Sequence, residues 1–373
     1  MFFERVMLGS AVLAASMAAN ANYLTNYGDA NINNLKAAMA DGALHVVQLG
    51  DSHTAGDVMT DALRNRLQDT LGDGGMGWAM PMYFKGQRMA RFGYDRHNFQ
   101  PISSRTNKSE DYTLGGMIAK PQSSGASITL KAKKSEPAQK VLVSVRQNSP
   151  SEYFIATDAN GKSVPVQADL YGQWQVVDIG DVELPLTLRS QGSSSVLGGY
   201  WAFNPNNKGA TVSALGINGA ELSYWNRWNS DAWQNELKAI KPTLIALAYG
   251  TNEAYNGVSG ERVRSILTEK VEQIRAASPE SAILIIGSPE ALKNTAGSCG
   301  VRPSTLSDVQ NAQRQVAQEQ GLLYWDWQAA MGGSCSMKSW MNSGKATKDG
   351  VHFSGSGYRQ LGNQLASDLL SLR

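Results

Sequence analysis

Five short apolar runs constrain this chain more than any other feature: residues 44–49, 212–215, 243–248, 282–286 and 322–325. Near-continuous apolar sequence, rather than alternation, is what a strand needs when both faces of its sheet are covered, as in parallel sheets. Helical spacing fills several of the gaps. Val263, Ile266, Leu267, Val271 and Ile274 recur at that period, as do Leu306, Val309, Ala312 and Val316, and the chain closes on Tyr358, Leu361, Leu365 and Leu369. Strands alternating with helices predict an α/β fold built on a doubly wound parallel sheet.

Between Tyr94 and Ala210 the pattern changes. Short alternating segments at 126–131, 141–145, 173–177 and 184–188 are separated by turn signals such as Ser123-Ser124-Gly125 and Asp158-Ala159-Asn160-Gly161. This spacing predicts an antiparallel β-sandwich inserted into the α/β domain. The expected organisation is a leader at 1–21, an α/β domain made of 22–93 and 211–373, and an inserted module at 94–210. A chain of 373 residues is long enough for both units.

Residues 1–5 form a short n-region, residues 6–19 are apolar and small, and Ala19-Asn20-Ala21 offers a cleavage site. That is the pattern of a secretory signal, although Glu4 offsets Arg5. The apolar run is too short for a good membrane span, and no other segment approaches the ~20 residues a span requires, so no stable membrane anchor is expected. Export would let Cys299 and Cys335 form a disulfide between two Gly/Ser-rich loops; two buried thiols are the alternative. A net charge of +2, with no stripe of Lys and Arg, gives no basis for a nucleic-acid partner. No metal site has the right spacing, no cofactor is expected, and oligomeric state leaves no signature.

The first apolar run ends in Gly50-Asp51-Ser52-His53. A serine there sits at the carboxyl end of the sheet, where open α/β folds keep their ligands, and Gly50 is expected to permit a tight turn. Alone, Gly-Asp-Ser more often marks a turn or a helix cap. A serine nucleophile needs a base, and the chain has only four histidines. His45 is expected to face packing, His53 to diverge from its neighbour Ser52, and His97 to lie in a polar loop. His352 remains, with Asp349 three residues earlier, a pair that can fix the imidazole tautomer and stabilise its charged form. After the second and third sheet strands come Gly216-Ile217-Asn218-Gly219 and Gly250-Thr251-Asn252-Glu253. The Gly219 N–H and the Asn252 amide, aimed at one point with the Ser52 N–H, can form an oxyanion hole.

The order Gly-Asp-Ser, Gly, Gly-x-Asn and Asp-x-x-His resembles that of the SGNH (GDSL-like) hydrolases. The resemblance implies Ser52 as nucleophile, His352 as base, Asp349 as its orienting partner, and Ser52, Gly219 and Asn252 as oxyanion donors. Where that family often has aspartate after the asparagine, this chain has Glu253, which bears on local hydrogen bonding. The stretch Gly50–Asp57, the stretch Asp349–Tyr358 and the inserted β-module look like those of the exported peptidoglycan O-acetylesterases of Gram-negative bacteria. That likeness implies a periplasmic esterase acting on 6-O-acetylated N-acetylmuramoyl residues, with a carbohydrate-binding-like insert. The competing expectations are an O-acetyltransferase, an esterase for another envelope polysaccharide, and a non-catalytic glycan-binding protein. Trp225 and Trp228 are expected either to stack on sugar rings or to pack internally; Trp325 and Trp327 are expected to be structural.

Overall fold

The computed structural model describes residues 21–206 and 208–373. The expected leader, but for Ala21, lies outside the described residues. A six-stranded sheet forms the centre, in the spatial order Leu24–Asn26, Leu323–Trp325, Ala282–Ile286, Leu244–Ala248, His45–Gly50 and Thr211–Gly216. The last five are parallel and correspond to the five apolar runs. Leu24–Asn26 adds an antiparallel edge, pairing Leu24 with Trp325.

Burial on both faces explains the apolar runs. Val47, Leu49, Ile245, Leu247, Ile283 and Ile285 point into one core, against helices Ser230–Ile240, Gly260–Ala277 and Leu306–Gln320. Their neighbours Val46, Ala246 and Leu284 point into the other, against Val58–Leu71 and Gly355–Leu370. Ser259 and Ser354 start two of these helices by accepting from Arg262 N–H and Gly357 N–H. The Ser354 cap, two residues after His352, fixes where the last helix begins.

Residues 77–203, between the first two parallel strands, supply two antiparallel sheets. One has the order Ser163–Val166, Phe154–Thr157, Leu186–Ser190, Ser127–Ala132 and Phe92–His97. The other has the order Trp174–Val182, Gln139–Arg146, Val196–Phe203, Met117–Pro121 and Phe99–Ser103, with Gly77–Ala79 also paired to Val196–Phe203. Alternating inward residues such as Ile128, Leu130, Leu186 and Leu188 meet Val141, Val143 and Val145 in a buried interior. The sandwich is not a detached appendage, because its interior is continuous with the core under the parallel sheet. Trp78 N–H donates to Ser213 Oγ at 3.1 Å, and buried Glu236 accepts from Trp201 Nε1 at 2.7 Å and Ser144 Oγ at 3.2 Å. Thr113 Oγ1 also donates to Glu236.

Candidate active site

Strand His45–Gly50 lies between Thr211–Gly216 and Leu244–Ala248, the next two strands of the same sheet in sequence. A ligand crevice opens at such a switch point, above the carboxyl ends of the strands. Gly50 and Gly216 lie paired there, and helix Ser52–Ala55 sits directly on them. A Cβ on Gly50 would come within 2.3 Å of Thr54 Oγ1 and 2.7 Å of the Ala248 carbonyl; one on Gly216 would come within 2.1 Å of Ala55 N. Gly50 is therefore required for the close approach of strand and helix at this turn, and its φ is not positive. Asp51 caps the helix by accepting from His53 N–H at 2.9 Å, and Ser52 becomes its first residue, with an N–H that has no intrahelical acceptor.

Ser52 Oγ lies 2.8 Å from His352 Nε2, and His352 Nδ1 lies 2.7 Å from Asp349 Oδ2. Because an ionised carboxylate only accepts, Nδ1 carries the proton and Nε2 is free to accept from the serine hydroxyl. Asp349 Oδ1 accepts from Thr347 Oγ1 at 2.6 Å, Val351 N–H at 2.9 Å and His352 N–H at 3.0 Å. Partial burial alone would raise the Asp349 pKa; the donors from Thr347, His352 and Val351 outweigh it and hold the carboxyl below its ordinary range. Behind the turn, Gly350 carbonyl accepts from Leu292 N–H at 2.8 Å, and Leu292 carbonyl accepts from Tyr255 OH at 2.5 Å.

The segments that carry Gly219 and Asn252 are equally built. Gly219 is left-handed, φ +71°. Asn252 Nδ2 donates to Ala220 carbonyl at 2.9 Å and to Asp51 Oδ2 at 3.3 Å, which places the amide between the residue after Gly219 and the residue before Ser52. The three segments named from sequence thus meet. Glu253, which sequence reasoning left without a role, ties two of them together: its carboxylate accepts from Gly250 N–H at 2.9 Å and from Leu222 N–H at 2.8 Å. Burial chiefly, with the nearby Glu221 charge, raises its pKa to about 7 despite these donors. A glutamate three residues after a helix cap was a legible signal for the Gly250 bond. The bond to Leu222 joins segments 31 residues apart and left no such mark.

His53 packs beside His352. Its ring centre lies 5.4 Å from that of His352, and its Nδ1 lies 2.8 Å from Tyr358 OH. His97 belongs to strand Phe92–His97 rather than to a loop, and His45 packs edge-on against Trp201 and Phe203. Trp225 and Trp228 are 1% and 6% exposed and stacked on each other, so packing is their role and neither offers a sugar platform. Cys299 and Cys335 are joined in a disulfide. Among the described residues, no group of three or more His, Cys, Asp or Glu is placed to hold a metal ion, and no helix is long and apolar enough to cross a membrane.

Residues 74–187 match the family model described as peptidoglycan O-acetylesterase, N-terminal, and residues 188–360 match the GDSL-like lipase/acylhydrolase family. A solved peptidoglycan O-acetylesterase is 42% identical, with a TM-score of 0.85, the match covering 94% of this chain and 99% of that one. A lipase/acylhydrolase from Enterococcus faecalis is 17% identical over 44% of this chain and 77% of its own, with a TM-score of 0.35. A family two carbohydrate esterase from Cellvibrio japonicus is 11% identical over 75% of this chain and 98% of its own, with a TM-score of 0.32. No curated protein sequence matches the chain. Identity at that level over nearly the full length of both chains, on an SGNH-type α/β domain with an inserted antiparallel sandwich, places this chain in the peptidoglycan O-acetylesterase family of GDSL-like hydrolases.

Proposed function

We propose that this chain removes O-acetyl groups from the muramoyl residues of peptidoglycan through an acetyl-enzyme on Ser52. His352 Nε2 takes the Ser52 proton as Oγ attacks the ester carbonyl carbon, and Asp349 stabilises the imidazolium that forms. The oxyanion is held by the N–H groups of Ser52 and Gly219 and by the Asn252 amide. Collapse breaks the bond to the sugar oxygen, which leaves with the proton from His352. Water, deprotonated by His352, then attacks acetyl-Ser52 and releases acetate. The observation that carries this reading is the unbroken relay from Ser52 Oγ through His352 to Asp349.

Hydrolysis is favoured over acetyl transfer by exposure: the side chains of His352 and Asp349 are 40% and 49% exposed, which leaves water access to the acyl-enzyme. Action on peptidoglycan fits an extracytoplasmic location, and residues 1–21 would then serve export to the periplasm. The inserted sandwich would hold the glycan strand while the relay acts on one ester. Acetate release from O-acetylated peptidoglycan, beside de-O-acetylated peptidoglycan and O-acetylated xylan, tests the reading. Preference for the first supports it; equal or faster release from xylan would contradict the substrate assignment.

A further inference from the structure

The inserted sandwich reaches the catalytic centre at one loop. After strand Phe99–Ser103 the chain turns, and Arg227 clamps that turn by donating to the carbonyls of Ser104 at 2.6 Å and Arg105 at 3.0 Å. Trp228 Nε1 donates to Ser104 Oγ at 3.0 Å. Arg227 and Trp228 belong to the segment that follows Gly219, so the loop is fixed to the wall of the oxyanion hole itself. The fixed backbone delivers the Arg105 side chain onto Gly219: a Cβ built there would lie 2.8 Å from Arg105 Cζ and Nη2 and 3.0 Å from Nε. The guanidinium therefore lies over the α-carbon of a proposed oxyanion donor. It can do so because that residue has no side chain.

Arg105 is exposed, and among the described residues its guanidinium has no hydrogen-bond or carboxylate partner. Asp349 pairs instead with His352, and the Glu221 carboxylate accepts from Asn256 and Ser223. Two further exposed cations without carboxylate partners, Lys85 and Arg88, lie on the adjoining loop, where Gly86 carbonyl accepts from Asn218 and Arg88 N–H donates to Ala55 carbonyl. A planar fork of donors, fixed by its backbone and left unpaired at the mouth of a site, suits a carboxylate.

We propose that Arg105 is a specificity-determining residue that binds a carboxylate carried by the same muramoyl residue as the ester. This rests on the substrate reading above. A muramoyl residue bears a lactyl group at C3 whose carboxyl is either free or amide-linked to a stem peptide with carboxylates of its own. Either source presents the same chemistry, across the sugar ring from the C6 ester. An acetylated sugar without a lactyl group presents none, so Arg105 would separate peptidoglycan from other acetylated glycans.

The test compares kcat/KM for wild type, Arg105→Ala and Arg105→Lys on three O-acetylated substrates. These are peptide-free muroglycan with free lactyl carboxylates, muropeptides with intact stems, and a chitooligosaccharide. The ratio of a carboxylate-bearing substrate to the chitooligosaccharide should fall about 10- to 100-fold in Arg105→Ala, with partial recovery in Arg105→Lys, which keeps charge but not the fork. The substrate on which the ratio falls names the source of the carboxylate. An unchanged ratio on both would overturn the proposal, because misfolding or a disturbed Gly219 lowers all three substrates together. Wild type that releases no acetate from either muramoyl substrate while cleaving the chitooligosaccharide would instead contradict the substrate reading, and the proposal with it.

Discussion

The imidazole of His53 packs against that of His352, 5.4 Å from centre to centre with 47° between planes. Trp327, Phe353 and Tyr358 surround His53, which is 3% exposed. Burial chiefly, with the neighbouring His352, lowers its pKa to about 3, so it stays neutral beside an imidazolium without repelling it. His53 is thus a positioning residue for His352. His53→Ala should lower kcat on a chromogenic acetate ester by about 10- to 100-fold with little change in KM, since small misplacements of a catalytic group cost about that much. His53→Phe, which restores a ring, should recover most of the loss. If the two variants were equally impaired, ring support would not be its function.

Asn252→Ala should reduce kcat by roughly 10²–10³, with a smaller effect on KM, as removal of an oxyanion donor does. Steady-state kinetics on the same ester check this. A change confined to KM would place the amide in ground-state binding instead.

Glu253→Gln presents one N–H₂ where two backbone N–H groups need acceptors. One of Gly250 and Leu222 would then be left unpaired inside the protein. The expected destabilisation is about 1–3 kcal/mol by urea unfolding, with a fall in kcat because the bonds join the Asn252 segment to the chain just after Gly219. Unchanged stability would mean that the two amides do not depend on the carboxylate.

Two buried histidines predict an acid limb to stability. Burial lowers the pKa of His45 to about 4 and of His53 to about 3, so the folded state binds fewer protons than the unfolded state below pH 6.5. Each histidine's contribution is present above the unfolded pKa and is lost as pH falls through the interval, at up to about 1.4 kcal/mol per pH unit. Buried Asp51 and Glu253, raised by burial to about 8 and about 7, act oppositely and lose stability as pH rises from about 4. The difference between wild type and His45→Phe isolates one term. Relative to wild type, His45→Phe should gain stability steadily between pH 6.5 and 4 in urea titrations. A pH-independent difference would show that His45 titrates alike in the folded and unfolded states.

The parallel sheet was legible because burial on both faces writes itself as unbroken apolar sequence, and the meeting of the segments that carry Ser52, Gly219 and Asn252 was legible because each closely follows one of those runs, whereas Asp349 and His352 precede the last helix. Leu24–Asn26 was not, since three residues carry no period. The close approach of Gly50 to Thr54 was not legible either, being a contact across a strand-to-helix junction that a sequence does not display. The tie from Glu236 to Thr113, Ser144 and Trp201 is invisible for the same cause. It makes the sandwich and the hydrolase halves of one core, which alternation along single strands cannot reveal. Trp225 and Trp228 could be read either way from sequence, and only their burial decides.

In the proposed reaction Ser52, activated by His352, attacks the acetyl ester. Acetate release from O-acetylated peptidoglycan by wild type and by folded Ser52→Ala tests it most directly. The relay predicts a loss of at least ~10³-fold, as for removal of any nucleophile of a serine triad. Turnover by Ser52→Ala within about tenfold of wild type would exclude Ser52 as the nucleophile, because so small a loss corresponds to only about 1.4 kcal/mol of barrier and leaves no place for a covalent acetyl-serine.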